Sequence, residues 1–309
     1  MDHAQSVRAG QRTVQLHRPD KVLFPDDGYT KADLVDYYRS VAPFMLPQLR
    51  GRPLMLERHP DGIKGERFMQ KDTPDHYPDW ITRVTVDKKE GGTVTHTVCD
   101  DTATLVYLAD QAAVTLHRWQ SRTGRIDRPD RMVFDLDPAG DDFEDVRRAA
   151  HRVGELLDQL RLASALMTTG SRGLHVVVPV NGHHDFDEVR GFAKDVADTL
   201  AEAHPEELTT AARKKDRGDR LYLDVMRNGY AQTAVVPCTV RAKPGAPVAV
   251  PIAWDQLDDP KLHSRRWTIA DAAEQARGNP WQGLLRHGRA LGPARRRLNA
   301  LRNNTSSSS

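Results

Sequence analysis

Two carboxylates two positions apart, Asp135 and Asp137, form the pattern in this sequence with the clearest chemical meaning. An apolar run leads into them, and side chains at positions i and i+2 of a strand point to the same face. The two acids are therefore predicted to stand together, with Leu136 turned into a core. Like charges this close are costly unless a cation lies between them, and Mg²⁺ binds through carboxylates plus substrate phosphates. The stretch predicts a divalent-metal site at a strand end; a solvent-facing strand end before a turn is the alternative.

Asp224 is a third carboxylate in an unusual setting, inside an apolar strand predicted over residues 220–226. A buried carboxylate is expensive unless it has a cation or hydrogen bonds. Asp224 is therefore expected to have such a partner, and it is a candidate third ligand beside Asp135 and Asp137.

A glycine-rich turn at residues 170–175 has the groups that bind phosphate: backbone amides, the Ser171 hydroxyl and the Arg172 guanidinium. It is not a Walker loop, because no Gly-Lys-Ser/Thr follows and no helix begins there. His175 opens the next strand, and a structural histidine is the alternative interpretation of that residue.

The elements around the acids follow from periodicity. Asp142 is expected to cap a helix over residues 143–160, and a strand is predicted at 165–169. Residues 186–203 are predicted to form an amphipathic helix. The acids and the glycine-rich turn are therefore expected within one strand–helix–strand unit.

Three further elements are predicted nearer the N-terminus. Thr30 and Asp33 are predicted to form a capping box. Lys31 lies in the first turn of that helix, where the helix dipole disfavours a cation unless the cation meets an anion. Alternation predicts a hairpin over residues 81–98. Residues 102–119 are predicted to form one helix with His117 near its end.

Composition excludes several classes of protein. The 309 residues are 39% hydrophobic and 28% charged, which is typical of a globular protein, and neither a membrane-spanning run nor a secretion signal is apparent. Cys99 and Cys238 do not make a disulfide framework or a zinc site, so buried thiols in a reducing cytoplasm are expected. The net charge is +2, but basic residues cluster at 211–220 and after Gln275. Such clusters are typical of sites that bind phosphates or nucleic acid. For the cluster after Gln275, a solvated surface or a disordered tail is the alternative.

The order of the motifs is more specific than any one of them. Asp-Leu-Asp-Pro at 135–138, Thr-Thr-Gly-Ser-Arg-Gly-Leu-His-Val at 168–176, Leu-Asp-Val-Met-Arg-Asn at 223–228 and the run from 233 to 248 succeed one another. From about residue 16 to about residue 254, this sequence resembles the polymerase domain of bacterial ATP-dependent DNA ligase D, of the archaeo-eukaryotic primase superfamily. No ligase or nuclease region is apparent, so a free-standing member is expected.

The resemblance implies an α+β fold of the archaeo-eukaryotic primase type, with β-sheets packed between α-helices. It implies nucleotidyl transfer onto a primer 3′-OH with two Mn²⁺ or Mg²⁺ ions, NTPs being favoured over dNTPs, in gap filling and end extension during non-homologous end joining. Expected partners are gapped or broken double-stranded DNA, Ku and a separate DNA ligase. A cytoplasmic, nucleoid-associated monomer without membrane contact is expected. The polymerase domain is predicted over residues 1–292, followed at 293–309 by a basic and then serine-rich disordered tail.

Carried over position by position, the resemblance also implies roles for individual residues. The metal carboxylates fall on Asp135, Asp137 and Asp224. The contacts to the nucleotide fall on seven residues: His117, Thr169, Ser171, Arg172, His175, Arg217 and Arg241. The lysines for the 5′-phosphate of the downstream strand fall on Lys21 and Lys31, and the template-stacking position falls on Phe68 or Met69. Arg172 stands where lysine is usual and Arg227 where glutamine is common, which leaves open the substrate contacts at these two positions.

Three other functions stay open from the sequence. A primase-polymerase that starts chains without a primer would use the same active site. A non-catalytic module that binds DNA ends is disfavoured by Asp135, Asp137 and Asp224, because such a module has no use for three buried acids. A metal-dependent phosphohydrolase would release phosphate alone, whereas a polymerase releases pyrophosphate and extends a primer.

Overall fold

The computed structural model describes residues 4–306, and the bounds of its elements in that range follow. The helices are α1 (Lys31–Leu49), α2 (Thr102–Asp110), α3 (Phe143–Gln159), α4 (Phe186–Ala203), α5 (Ala272–Arg277) and α6 (Leu291–Ser306). The strands are β1 (Ala4–Ala9), β2 (Arg12–His17), β3 (Val22–Phe24), β4 (Tyr29–Thr30), β5 (Leu54–Arg58), β6 (Phe68–Gln70), β7 (Arg83–Asp87), β8 (Thr93–Thr97), β9 (Ala113–Trp119), β10 (Ser121–Arg122), β11 (Arg125–Pro129), β12 (Arg131–Asp137), β13 (Ala165–Thr168), β14 (Leu174–Pro179), β15 (Leu208–Thr209), β16 (Leu221–Asp224), β17 (Thr233–Val235) and β18 (Pro251–Ile252). Short 3₁₀ helices cover Lys214–Asp216, Met226–Asn228 and Asp255–Asp258.

These elements belong to two compact units. The first unit is the chain up to Gly124 together with Thr233–Val250 and Arg265–Asn279. The second unit is Arg125–Gln232, Pro251–Ser264 and the chain from Pro280 onward. Each unit combines helices with mainly antiparallel sheets, so the α+β class predicted from the sequence is confirmed.

The first unit contains a four-stranded sheet in the order β17-β9-β5-β6, with β6 at an edge. The predicted capping box begins α1: Thr30 accepts a hydrogen bond from the backbone of Asp33, whose carboxylate accepts one from the backbone of Thr30. The predicted hairpin is also present, as the antiparallel pair β7 and β8. Helices α1 and α2 pack against each other through buried apolar side chains.

The prediction of one helix over residues 102–119 is wrong. Helix α2 ends at Asp110, Ala112 adopts a left-handed backbone with φ 56°, and the chain continues as β9. β9 pairs with β5 on one side and β17 on the other, so the pairing of a central strand outweighs the apparent helical period. His117 therefore lies in the middle of a sheet.

The second unit is built on a six-stranded sheet in the order β15-β16-β12-β14-β13-β18. β12 runs antiparallel to both β14 and β16, and α3 and α4 pack against the sheet. Asp142 caps α3 and the amphipathic helix α4 covers 186–203, as the sequence predicts. Apolar residues of β12 such as Phe134 and Leu136 are fully buried, which fixes the strand that carries the acids.

The disorder predicted for 293–309 is wrong for residues 293–306, which belong to α6. Leu291, Ala294 and Leu298 are buried at helical spacing, so an apolar stripe inside the arginine-rich run packs onto α4. Residues 307–309 lie outside the described residues, and the predicted domain extent of 1–292 stays a prediction. Between residues 4 and 306, no helix has the length and hydropathy of a membrane span.

Candidate active site

Register brings the first and third carboxylates together in the second unit. Asp135 of β12 lies directly opposite Asp224 of β16 on one side and His175 of β14 on the other. Asp137 lies two residues further along β12, on the same face as Asp135, while Leu136 is fully buried. The sheet pairing thus sets Asp224 opposite Asp135, and Asp137 shares the face of Asp135 on β12.

Asp135 is the most enclosed of the three acids, with a side chain 16% exposed. His175 Nε2 lies 3.4 Å from Asp135 Oδ1, and Arg227 Nε donates to Asp135 Oδ2 over 3.4 Å. Burial by itself raises the pKa of Asp135, but His175 and Arg227 outweigh burial and hold the pKa below its ordinary value. Asp135 is therefore kept ionised by its neighbours.

Asp224 is in the opposite electrostatic situation. Its Oδ1 accepts hydrogen bonds from the backbone N–H of Met226 at 2.7 Å and from the Tyr222 hydroxyl at 3.4 Å. Burial, together with the negative charge of Asp135, raises the pKa of Asp224 above its ordinary value. The pair formed by Asp135 and Asp224 consequently favours any cation that can share its charge.

Asp137 is more exposed than Asp135 and is bound by arginines. Arg217 Nη1 donates to Asp137 Oδ2 at 3.0 Å, and Arg172 Nη2 lies 3.9 Å from Oδ1. Arg217 is itself held by the carbonyl of Ala211 and lies 3.8 Å from the centroid of the Tyr222 ring. Two of the three arginines predicted to bind nucleotide, Arg172 and Arg217, thus already carry positive charge to the edge of the acidic cluster.

The glycine-rich turn reaches this edge because Gly173 has no side chain. A Cβ on Gly173 would lie 1.8 Å from the carbonyl oxygen of Leu136, so the turn runs directly against β12. Thr169 closes the turn: its hydroxyl donates to the Gly173 carbonyl at 3.0 Å and its N–H donates to the same carbonyl at 3.1 Å. Arg172 donates to the Pro138 carbonyl just beyond Asp137. Ser171 and Arg172 are in this way presented beside the acids.

The donor set fits a hard divalent cation. Three carboxylates from two neighbouring strands supply the oxygen ligands that Mg²⁺ and Mn²⁺ prefer. Within residues 4–306 no three His, Cys, Asp or Glu side chains are already arranged as a metal-binding group. Asp135 instead contacts His175 and Arg227, and Asp137 contacts Arg217.

His117 lies in the first unit, in β9, near Glu57 and His59. The sequence alone indicated no role for these two residues. Glu57 of β5 lies 3.8 Å from His117 Nε2 and 3.3 Å from His59 Nε2. Burial acts to raise the pKa of Glu57, but the two histidines hold it well below its usual range. His117 therefore stands next to a carboxylate that stays ionised.

The first-turn lysine of α1 does meet an anion, and that anion is Asp110. Lys31 Nζ donates to Asp110 Oδ1 at 3.2 Å and to the carbonyl of His17 at 2.7 Å, and its side chain is buried. Burial lowers the pKa of Lys31, and the Asp110 carboxylate acts in the opposite direction. Lys21 donates to Asp61 at 2.7 Å and is more exposed. The two predicted phosphate lysines thus differ in accessibility.

Phe68 and Met69 form an exposed apolar pair on the edge strand β6, each 43% exposed. Arg241, the remaining predicted nucleotide contact, follows β17 and donates its backbone N–H to the Pro247 carbonyl at 2.7 Å. The exposure of Phe68 and Met69 leaves the predicted template-stacking position open to solvent.

Sequence reasoning missed one buried residue that shapes the acidic cluster. Asn228, fully buried, accepts from the N–H of Val133 and donates to its carbonyl, both at 2.7 Å, and it also donates to the Val225 carbonyl at 2.9 Å. It ties the 3₁₀ turn after Asp224 to β12. An Asn at the end of a short 3₁₀ turn does not by itself indicate such a role.

The chain is also similar to known proteins. A family model described as LigD, primase-polymerase domain, matches residues 30–281. The chain is 35% identical over 257 residues to the multifunctional non-homologous end joining protein LigD of Mycolicibacterium smegmatis. That alignment covers 82% of this chain and 34% of the relative. The chain is 32% identical over 261 residues to the bifunctional non-homologous end joining protein LigD of Bacillus subtilis. That alignment covers 82% of this chain and 42% of the relative.

A solved structure agrees with the sequence comparisons. The polymerase domain of Mycobacterium tuberculosis ligase D, in complex with DNA, matches with a TM-score of 0.83 and 32% identity, over 89% of this chain and 98% of that chain. The chain spans about one third of the length of the mycobacterial relative it matches. The chain therefore belongs to the LigD primase-polymerase domain family, a family of nucleotidyltransferases.

Proposed function

We propose that this chain is a DNA-dependent polymerase that adds nucleotides, ribonucleotides by preference, to a primer 3′-OH at gaps and broken ends. The observation that carries the proposal is the register that sets Asp135 opposite Asp224, with Asp137 on the same face beside a glycine-rich turn. Three acids next to a phosphate-binding turn are the parts that nucleotidyl transfer requires.

Asp135, Asp137 and Asp224 would hold two Mn²⁺ or Mg²⁺ ions. Ions bound there would supply activation of the attacking hydroxyl and stabilisation of the leaving pyrophosphate. Arg172 and Arg217 would neutralise the triphosphate, with Arg217 leaving the hydrogen bond that it makes to Asp137 in this structure. The Ser171 hydroxyl and the backbone amides of the turn would orient the triphosphate. No protein nucleophile is needed, because the 3′-OH attacks the α-phosphorus directly and pyrophosphate departs.

His175 has a supporting role in this proposal, since its ring lies 3.4 Å from Asp135 and orients that carboxylate. In the first unit, His117 and Arg241 stay predicted nucleotide contacts. Lys21 and Lys31 stay predicted ligands of a 5′-phosphate, and the more exposed Lys21 is the better placed to reach one.

The cellular role is proposed from the relatives. The mycobacterial and Bacillus relatives are named as non-homologous end joining proteins. By analogy, this chain would act on broken double-stranded DNA with Ku, and a ligase would seal the product. Phe68 or Met69, both exposed on the edge strand, would stack on template bases.

The experiment uses the full chain, Mn²⁺ and a labelled primer facing a short gap with a 5′-phosphate. Templated addition with release of pyrophosphate, faster with NTPs than with dNTPs, is expected. Asp224→Asn, which retains a side-chain oxygen for the Met226 N–H, is the control without activity. Addition that is equally fast with Asp224→Asn, or release of free phosphate without extension, would overturn the proposal.

The same assay tests the phosphate lysine. Lys21→Ala is expected to reduce the preference for a gap with a 5′-phosphate over one with a 5′-hydroxyl, while addition on the 5′-hydroxyl gap stays unchanged. An unchanged preference would remove Lys21 from the phosphate site.

A further inference from the structure

Arg227 is a cation built into the acidic cluster at a defined position. It belongs to the 3₁₀ turn Met226–Asn228, which immediately follows Asp224. The turn is fixed at both ends, by the Met226 N–H on Asp224 and by the two hydrogen bonds between Asn228 and Val133 of β12. Because Val133 precedes Asp135 by two residues, the clamp aims Arg227 at Asp135.

The contacts of Arg227 make it a counter-ion for two acids. Its Nε donates to Asp135 Oδ2 at 3.4 Å, and Asp135 lies opposite Asp224 in the sheet. Burial and the charge of Asp135 raise the pKa of Asp224, and the positive charge of Arg227 acts against that rise; with His175, Arg227 also offsets the effect of burial on the pKa of Asp135. Like charges directly opposite each other in a sheet are destabilising, so a cation at this point offsets a real cost.

The Arg227 side chain is 42% exposed, whereas Asp135 is 16% exposed. A half-exposed arginine on a flexible stem can swing into solvent without disturbing the core, and the backbone turn does not depend on its side chain. The guanidinium is therefore a removable partner of an otherwise enclosed acid.

We propose that Arg227 sets the divalent-metal affinity of the Asp135 and Asp224 pair by acting as an internal counter-ion that has to leave before the pair can share a divalent cation. This inference rests on the proposed function, because it takes Asp135 and Asp224 as the metal ligands. It assigns Arg227 a role in tuning the metal site and none in contacting substrate.

The test measures Mn²⁺ binding to the full chain, without nucleotide or DNA, from the electron paramagnetic resonance signal of the unbound ion. Arg227→Gln is expected to tighten binding by about tenfold, the effect of removing a unit charge about 6 Å from a divalent ion in a solvated site. Arg227→Lys, which retains the charge, should bind as the wild type does. Thermal melts of all variants check that they are folded.

Arg220→Gln is the matched control, because it makes the same charge change four residues before Asp224. Arg220 donates to the carbonyls of Arg217 and Asp216 and has no such contact with Asp135. Equal affinity in wild type and Arg227→Gln, equal tightening in Arg220→Gln, or no Mn²⁺ binding by any variant would overturn the inference. Primer extension by the wild type is scored separately, so that a failed inference with active enzyme is distinguished from failure of the proposed function.

Discussion

Gly173→Ala should greatly slow nucleotide addition while the protein stays folded. An ideal Cβ on Gly173 lies 1.8 Å from the Leu136 carbonyl oxygen and 3.0 Å from its carbon. Since non-bonded heavy atoms settle at about 3.5 Å or more, the turn and β12 have to separate by more than about 1 Å. Ser171 and Arg172 directly precede Gly173 and would move with it, away from Asp137.

A misplacement of about 1 Å in a positioning element costs about 100-fold in rate. Overpacking of this kind also costs about 1–3 kcal/mol of unfolding free energy, which a domain with about 5–15 kcal/mol can lose and stay folded. Gly173→Ala is therefore expected to lower kcat for nucleotide addition by about 100-fold. The assay is single-turnover primer extension at saturating nucleotide, with the melting temperature recorded for the same samples.

Gly140→Ala is the matched control for this prediction. It lies in the separate turn that follows Asp137, between β12 and α3, and a Cβ there would meet no heavy atom within 4 Å. It should extend the primer at the wild-type rate. If Gly173→Ala were folded and as fast as Gly140→Ala, the close approach of the turn to β12 would have no part in activity.

Three further predictions concern other parts of the chain. Asn228→Ala should lower the unfolding free energy by about 1–3 kcal/mol in chemical denaturation, because Val133 loses the partner of its N–H and carbonyl; an unchanged midpoint would refute the clamp. Glu57→Gln should melt below the wild type at neutral pH. Because the folded-state pKa of Glu57 is depressed, the ionised Glu57 carboxylate stabilises the fold above its ordinary pKa of 4.5, and this stabilisation is lost as the pH falls. The difference in melting temperature should therefore disappear in acid. A difference that does not depend on pH would contradict this prediction. Phe68→Ala should weaken binding of primed template DNA, measured by fluorescence anisotropy, by about 1–3 kcal/mol without changing the melting temperature, whereas the exposed Leu284→Ala should not weaken it.

Local patterns in the sequence predicted the local structure well. The spacing of Asp135 and Asp137 predicted their shared face because a strand repeats every two residues. The capping box at Thr30 and the amphipathic pattern of residues 186–203 predicted helices that are present. These signals depend on neighbouring residues alone, which is why they can be read without a structure.

Features that depend on distant contacts were beyond sequence reasoning. The register between β12 and β16 that sets Asp224 opposite Asp135 joins segments far apart in the chain. The same is true of β9, whose pairing on both sides decided that residues 113–119 form a strand, and of α6, whose few apolar residues became informative only once α4 covered them.

The cationic partners of the acids show the same limitation. The sequence offered many arginines, but nothing in it indicated that Arg217 bonds Asp137 or that Arg227 bonds Asp135. The resemblance to ligase D polymerase domains implied which positions carry function, and the structure adds how Asn228 and Gly173 hold those positions in place.

If Asp135, Asp137 and Asp224 together carry out nucleotidyl transfer, each of the three acids is indispensable. The most direct test is the single-turnover rate of primer extension with Mn²⁺ for the wild type and for each acid changed singly to asparagine. We expect a loss of at least about 100-fold for each variant, with melting temperatures close to that of the wild type. Extension at the wild-type rate by any one of the three folded variants would contradict it.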